Sequence, residues 1–213
     1  MMSQNSLTYI IILWFLLQLL VGIDCQMMPK QRQWHTATHV DKKLYILGGF
    51  STADTSVGTD FFYLDTSAPF NTKGILWNDL KSINMVPGHS GAASVIGGTN
   101  NNTIFIYGGY APGAELVYTF DPQSNTWDAP KVVGPGPIIR PQGLIGVIDN
   151  GGITYLWSGA VVNTTGTFDV DVFSTLDTKN LIWGQGSLVD APLPGVNYGA
   201  ILLPDNTILY IGK

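Results

Sequence analysis

Apolar positions along this chain fall into short runs that recur in one order. The clearest run is almost wholly apolar and stops at glycine: LYILGG at 44–49, IFIYGG at 104–109, ITYLWSG at 153–159 and ILYIG at 208–212. Runs this short, rich in β-branched and aromatic residues and closed by glycine, predict buried strands; beyond residue 25 no stretch keeps a helical period. Ahead of each lies a strand of small residues followed by a polar turn. These are HTATHV before Asp41-Lys42-Lys43, SGAASVI before the asparagines at 100–102, QGLIGVI before Asp149-Asn150-Gly151-Gly152, and YGAILL before Pro204-Asp205-Asn206. After each of the first three comes a run closing on an apolar residue and aspartate: FFYLDT at 61–66, VYTFDP at 117–122 and VFSTLDT at 172–178. A tryptophan follows each of these, at Trp77, Trp127 and Trp183.

The order small strand, turn, apolar strand to glycine, loop, strand to aspartate, turn, tryptophan never changes. Gly49, Gly109 and Gly159 stand 60 and 50 residues apart, and the tryptophans 50 and 56. Four strands repeating at about 50 residues predict a propeller blade. The small strand suits the crowded axis where blades converge. Glycine ends the second strand where backbones approach closely or φ turns positive. Asp65, Asp121 and Asp177 begin turns. The tryptophan packs between neighbouring sheets and buries surface that no single blade could bury.

The pattern resembles the kelch repeat, whose second strand ends in a glycine doublet and whose fourth carries tryptophan. The resemblance covers residues 33–212 and implies an all-β, kelch-type β-propeller. The blades are expected at about 33–85, 86–138 and 139–194, with an incomplete one at 195–213. Its motif residues here are Gly48 and Gly49, Gly108 and Gly109, Gly159, Gly212, the three aspartates and the three tryptophans. Ser158 replaces the first glycine of the third repeat, and Lys213 stands where the fourth would have its second. About three and a half four-stranded blades cannot close a ring of ~4–8, so the chain is expected to be a fragment of a longer propeller, its repeats forming an open arc.

Residues 7–23, LTYIIILWFLLQLLVGI, lie between the length of a signal-peptide core and that of a membrane span. Their place at the start predicts a secretory signal over 1–25, with an uncleaved anchor as the alternative. Cys25 is the sole cysteine. If it leaves with the signal, the mature chain has no disulfide, thiol nucleophile or cysteine-based metal site. Two sequons, at Asn101 and Asn163, then mark glycosylation candidates of a secreted or cell-surface protein. The net charge is −5 and the basic residues are scattered, which argues against nucleic acid as a partner.

The histidines are His35, His39 and His89. His35 and His39 share a strand face, but no third ligand clusters with them, so a structural role is expected. His35 and His89 look like counterparts in successive repeats, each preceding a hydroxyl residue. Asp169 and Asp171 could share a strand face and bind a cation, and they read better as a solvated edge. The G-x-G at 134–136 lacks the following helix that phosphate binding needs and reads as a connector. Galactose oxidase contains such a propeller, and resemblance to it would imply a copper site with tyrosine and histidine ligands and a tyrosine–cysteine cross-link. A chain without cysteine cannot form that link, and Tyr45, Tyr107, Tyr155 and Tyr210 sit in strands that read as core.

The favoured reading is an extracellular, non-catalytic binding scaffold without a cofactor, its loops contacting a protein or a glycan. Among those loops, 51–60 and 66–75 are the longest. The alternatives are part of a galactose-oxidase-like copper enzyme, or the ectodomain of a membrane-anchored surface protein, held by residues 1–25 or by a downstream segment.

Overall fold

The computed structural model describes residues 27–136, 140–157, 159–163, 166–169, 173–191 and 193–212. The leader with Cys25, together with Ser158, Asp171 and Lys213, lies outside them.

The chain folds as all-β, with repeated four-stranded antiparallel sheets. The first contains β1 (Thr36–Val40), β2 (Lys43–Leu47), β3 (Phe61–Asp65) and β4 (Trp77–Asp79) in sequence order. The second repeats this with β5 (Ser90–Gly97), β6 (Thr103–Tyr110), β7 (Val117–Asp121) and β8 (Thr126–Asp128). The third orders β9 (Ile145–Ile148), β10 (Ile153–Trp157), β13 (Phe173–Asp177) and β14 (Ile182–Gln185). An unforeseen hairpin, β11 (Ala160–Asn163) with β12 (Gly166–Asp169), is inserted between its second and third strands. A two-stranded sheet, β15 (Gly199–Leu202) with β16 (Ile208–Ile211), follows.

Successive sheets meet along their first strands: β1 packs on β5, β5 on β9, and β9 on β15. The small residues of these strands permit that closeness, and the Thr38 hydroxyl donates to Ser94 Oγ across the junction at 2.6 Å. Stability comes from the layers between blades. The alternation of β6 shows how: Ile104 and Ile106 join Tyr45, Leu47 and Phe61 of the first blade, while Phe105 and Tyr107 join Leu144, Leu156 and Leu176 of the third. One strand thus lies in two cores, which is why its pattern is continuous rather than alternating.

Trp127 reaches back onto the first blade, 5.1 Å from Phe61 between ring centroids, and Trp183 onto the second, 6.3 Å from Tyr107. Trp77 behaves differently. It packs edge-on against Phe62 of its own blade at 5.2 Å, and Met27 bridges to it along the outer edge.

Candidate functional site

Antiparallel order sends the connections to two ends of the blades. The β1–β2 and β3–β4 turns and their counterparts lie at one end. The loops after the glycine pairs, and the lead-in to each following blade, gather at the other, here termed the glycine end. The loop at 51–60, with its 3-10 turn at Thr55–Thr59, is therefore at the glycine end, and the loop at 66–75 is at the opposite one.

Close backbone contact between blades explains the glycine doublets. Gly48 has φ +65°, and a Cβ there would stand 2.8 Å from the imidazole of His89. Gly108 has φ +64°, and a Cβ there would stand 2.6 Å from the carbonyl oxygen of Pro141. The second glycine of each pair donates its N–H to the next blade's lead-in: Gly49 to the His89 carbonyl at 2.9 Å, Gly109 to that of Pro141 at 2.8 Å. Gly159 is packed against Pro141 and Gln142 of its own lead-in, and Gly212 lies next to Tyr198. The doublets thus join blades and leave no room for a reacting group.

Strand register separates His35 from His89. Thr36 pairs with Leu47 and Ala93 with Tyr107, each partner immediately preceding a glycine pair. His35 therefore corresponds to Ala92, and His89 lies three residues upstream of that position. His89 is 3% exposed. Its Nδ1 faces the Pro87 carbonyl at 3.0 Å, and its buried Nε2 has no partner. Burial holds its pKa below the ordinary value, with Arg140 adding to the effect and the Pro87 contact opposing it. Nδ1 is thus the protonated nitrogen of a neutral ring. His39 sits exposed on β1, its Nε2 2.9 Å from the Thr66 hydroxyl. Among the described residues no group of three His, Cys, Asp or Glu is placed to hold a metal.

At the axis the four lead-ins share an unusual conformation. Trp34, Gly91, Gly143 and Asn197 occupy equivalent positions, with φ of 57°, 68°, 72° and 61°. The left-handed turn aims each lead-in at its neighbour: Gly91 N–H donates to the Trp34 carbonyl at 2.8 Å, and Gly143 N–H to that of Gly91 at 2.7 Å. Glycine and asparagine tolerate this region and a bulky side chain does not. Trp34 is nonetheless 49% exposed at the mouth, its ring centroid 6.3 Å from that of Phe50.

Charge at this end is mostly committed. Asp60, 7% exposed, takes Arg32 at 2.8 Å and Lys81 at 2.7 Å. Burial pushes its pKa up, and the hydrogen bonds from Lys81 and Arg32 outweigh that and bring it below the usual carboxylate range. The Arg32 guanidinium also lies 5.0 Å over the Phe62 ring. Arg32 Nη1 also donates to the Gly48 and Val57 carbonyls at 3.2 and 3.3 Å, and Arg140 donates to backbone carbonyls, Nε to Gly109 at 2.7 Å and Nη1 to Glu115. It lines a cleft of ≈ 430 Å³ beside Tyr110, Pro112 and Gln142.

The opposite end is built of turns. Asp65, Asp121 and Asp177 each accept a backbone N–H two residues on, from Ser67, Gln123 and Lys179, at 2.8, 2.8 and 2.9 Å. Asn101 is exposed in the β5–β6 turn at φ 53°. The second sequon runs from Asn163 into residues outside those described, as does the pairing of Asp169 with Asp171. The tyrosines do not converge on one centre. Tyr45 and Tyr107 lie in different inter-blade cores, Tyr155 donates to Asp149 Oδ2 at 3.1 Å, and Tyr210 rests on Tyr198. The signal at 134–136 is a connector: Val133 pairs in parallel with Ile182 on the outer edge of the third blade.

Residues 34–213 match the KLHDC2/KLHL20/DRC7 Kelch-repeats domain family. No curated protein matches the sequence. Among solved structures, that titled "Structure of YjhT" is similar at a TM-score of 0.58 and 17% identity. The similarity covers 81% of this chain and 55% of that one, so the chain spans about half the length of its structural relative. Likeness at this identity concerns the fold.

Proposed function

The chain belongs to the Kelch-repeat family, whose propellers are in general non-catalytic scaffolds for protein–protein interaction, and from this we propose that it binds a protein partner across its glycine end. The observation that carries the reading is the grouping of solvent-facing aromatics there. Trp34, Phe50 and Tyr110 are 49%, 39% and 52% exposed, and Tyr110 borders the cleft that Arg140 lines. Exposed aromatics on loops held by a rigid scaffold are the residues that anchor interfaces. The other end is built of aspartate-closed turns and the long loop at 66–75, and offers one exposed aromatic, Phe70, against three at the glycine end.

The test compares partners recovered by quantitative affinity purification of three forms: the parent chain, a Phe50→Ser/Tyr110→Ser variant, and a Lys42→Ser/Lys73→Ser variant at the opposite end. Loss of a partner with the first variant and its retention with the second supports the reading. The reverse pattern refutes it.

A secreted or cell-surface location belongs to the same proposal. The apolar segment at 7–23 and the exposed Asn101 support it. Expression in a secreting eukaryotic cell should release a product that loses mass on glycosidase treatment, and Asn101→Gln should remove one step of that loss. A product retained in the cytosol without glycan would contradict the location.

A further inference from the structure

Beyond the protein-binding reading, and independent of it, we propose that the axial mouth is a binding site for one neutral pyranose sugar ring, seated against Trp34. The site is a cleft of ≈ 160 Å³ between Trp34 and Asn197, lined by Gly91, Gln142, Gly143 and Val196. It is smaller than the ~300–1,000 Å³ of a site for a drug-sized ligand, so it takes a single ring and not an extended segment.

Three features select the chemistry. The first is the indole. Trp34 occupies a left-handed position where two other repeats carry glycine and one asparagine. Its half-exposed ring contributes little to either inter-blade core. A bulky residue held in such a conformation with only Phe50 as an aromatic neighbour is a mark of function. The flat indole offers a face for the C–H groups of a ring.

The second is the floor. A Cβ at Gly91 would stand 2.9 Å from Gly143 N, and one at Gly143 would stand 3.0 Å from Val196 Cγ1. Glycine at both positions lets successive lead-ins approach and adds no side chain to the cleft wall.

The third is the polar inventory. No ionisable residue lines the cleft, so it does not select a phosphate, a carboxylate or an amine. Gln142 and Asn197 both line it, and among the described residues neither side-chain amide is engaged in a hydrogen bond. Each amide can donate and accept. An apolar ring such as proline would cover both without satisfying them, which is unfavourable. The hydroxyls of a sugar both donate and accept, and so meet both amides while its C–H face rests on Trp34.

The experiment uses the full chain and ligand-observed saturation-transfer NMR. The probes are glucose, galactose, mannose and N-acetylglucosamine, each as the free sugar and as the methyl glycoside, with a proline-rich peptide in parallel. Trp34→Gly is the decisive variant, because glycine adopts the observed φ more readily than tryptophan and the fold is retained. Its thermal midpoint should equal or exceed that of the parent.

At least one sugar should bind saturably. Trp34→Gly should weaken it by about tenfold or more, equivalent to the loss of one stacked ring. Gln142→Ala and Asn197→Gly should each weaken it as well. Binding of a methyl glycoside identifies the end of a glycan as the ligand, and binding of free sugars alone identifies a small molecule; either supports the site. Absence of binding by every sugar overturns the proposal. So does undiminished binding by Trp34→Gly, or Trp34-dependent binding of the proline peptide in place of any sugar.

Discussion

Replacing Gly108 by alanine tests the claim that glycine doublets mark the approach of one blade's backbone to the next. Two costs add. The residue sits at φ +64°, and an L side chain in the left-handed region costs about 1–2 kcal/mol. The new Cβ would also lie 2.6 Å from the Pro141 carbonyl oxygen, closer than Cβ atoms are found. That same oxygen accepts the Gly109 N–H at 2.8 Å, so moving it away breaks an inter-blade hydrogen bond. Leaving such a buried group unpaired costs about 1–3 kcal/mol. The sum is about 2–5 kcal/mol, a large part of the ~5–15 kcal/mol that holds a domain folded.

Gly113 supplies the control. Its φ is +75°, and nothing lies within 4 Å of its Cβ position. Gly113→Ala should therefore cost only the conformational part, about 1–2 kcal/mol. Equilibrium urea unfolding followed by tryptophan fluorescence measures both, from midpoint shifts at a common slope. If the two alanine variants agree within about 0.5 kcal/mol, the contact with Pro141 contributes nothing and the explanation of the doublets fails.

Other consequences follow from burial and charge. His89 is kept neutral in the folded chain, chiefly by burial, whereas the unfolded chain takes up a proton near pH ~6.5. Stability should be full above that pH and fall as pH drops through it, levelling below the folded pKa. In His89→Gln the slope should be smaller in urea titrations across pH 5.5 to about 7.5; an unchanged slope would place the titrating group elsewhere. Asp60→Asn strands the Arg32 guanidinium, whose side chain is 5% exposed, and should cost about 3–5 kcal/mol. Lys81→Ala, whose side chain is 46% exposed, should cost less than about 1 kcal/mol. Equal losses from the two substitutions in denaturant titrations would show that Arg32 is not the dependent partner. Trp183→Ala should lower stability by about 3–5 kcal/mol through the cavity it leaves between blades. Trp77→Ala, at a half-buried residue of the otherwise exposed outer strand, should cost distinctly less in thermal unfolding, and a reversed order would contradict the packing described.

Local pattern was enough to identify the strands, because each is defined by a few residues and its turn. IFIYGG at 104–109 reads as a strand buried on both faces, and β6 lies between two cores. Asp65, Asp121 and Asp177 read as turn formers, and each accepts a backbone N–H two residues on. The hairpin Ala160–Asp169 went unread, since AVVN and GTFD are too short to show a period. The pairing of His35 with His89 also fails, because matching a His-Thr step to a His-Ser step ignores register. Strand pairing, which sets the correspondence, depends on a partner strand rather than on the residue's own neighbours.

The candidate site was less legible than the fold. Trp34 carried no motif, and its equivalence to Gly91, Gly143 and Asn197 appears only once the strands are paired. A retrospective signal exists: each of these residues stands two positions before the inner-strand residue that pairs with the last residue ahead of the glycine run, Leu47, Tyr107, Trp157 or Ile211. Asp60 with Arg32 and Lys81, and Arg140 with the carbonyls of the preceding blade, join residues 21 to 31 positions apart.

What the sequence determined by itself was the repeat: strand identity, the blade unit, its glycine and tryptophan positions, and the all-β class. These follow from side-chain alternation and turn chemistry, which act over a few residues. Tertiary structure alone decided which loops share an end, which histidine is buried, why the glycines of the doublets cannot carry a side chain, and that Trp34, Gln142 and Asn197 line one cleft. Those properties arise where blades converge on the axis, between residues that sequence distance separates and packing brings together.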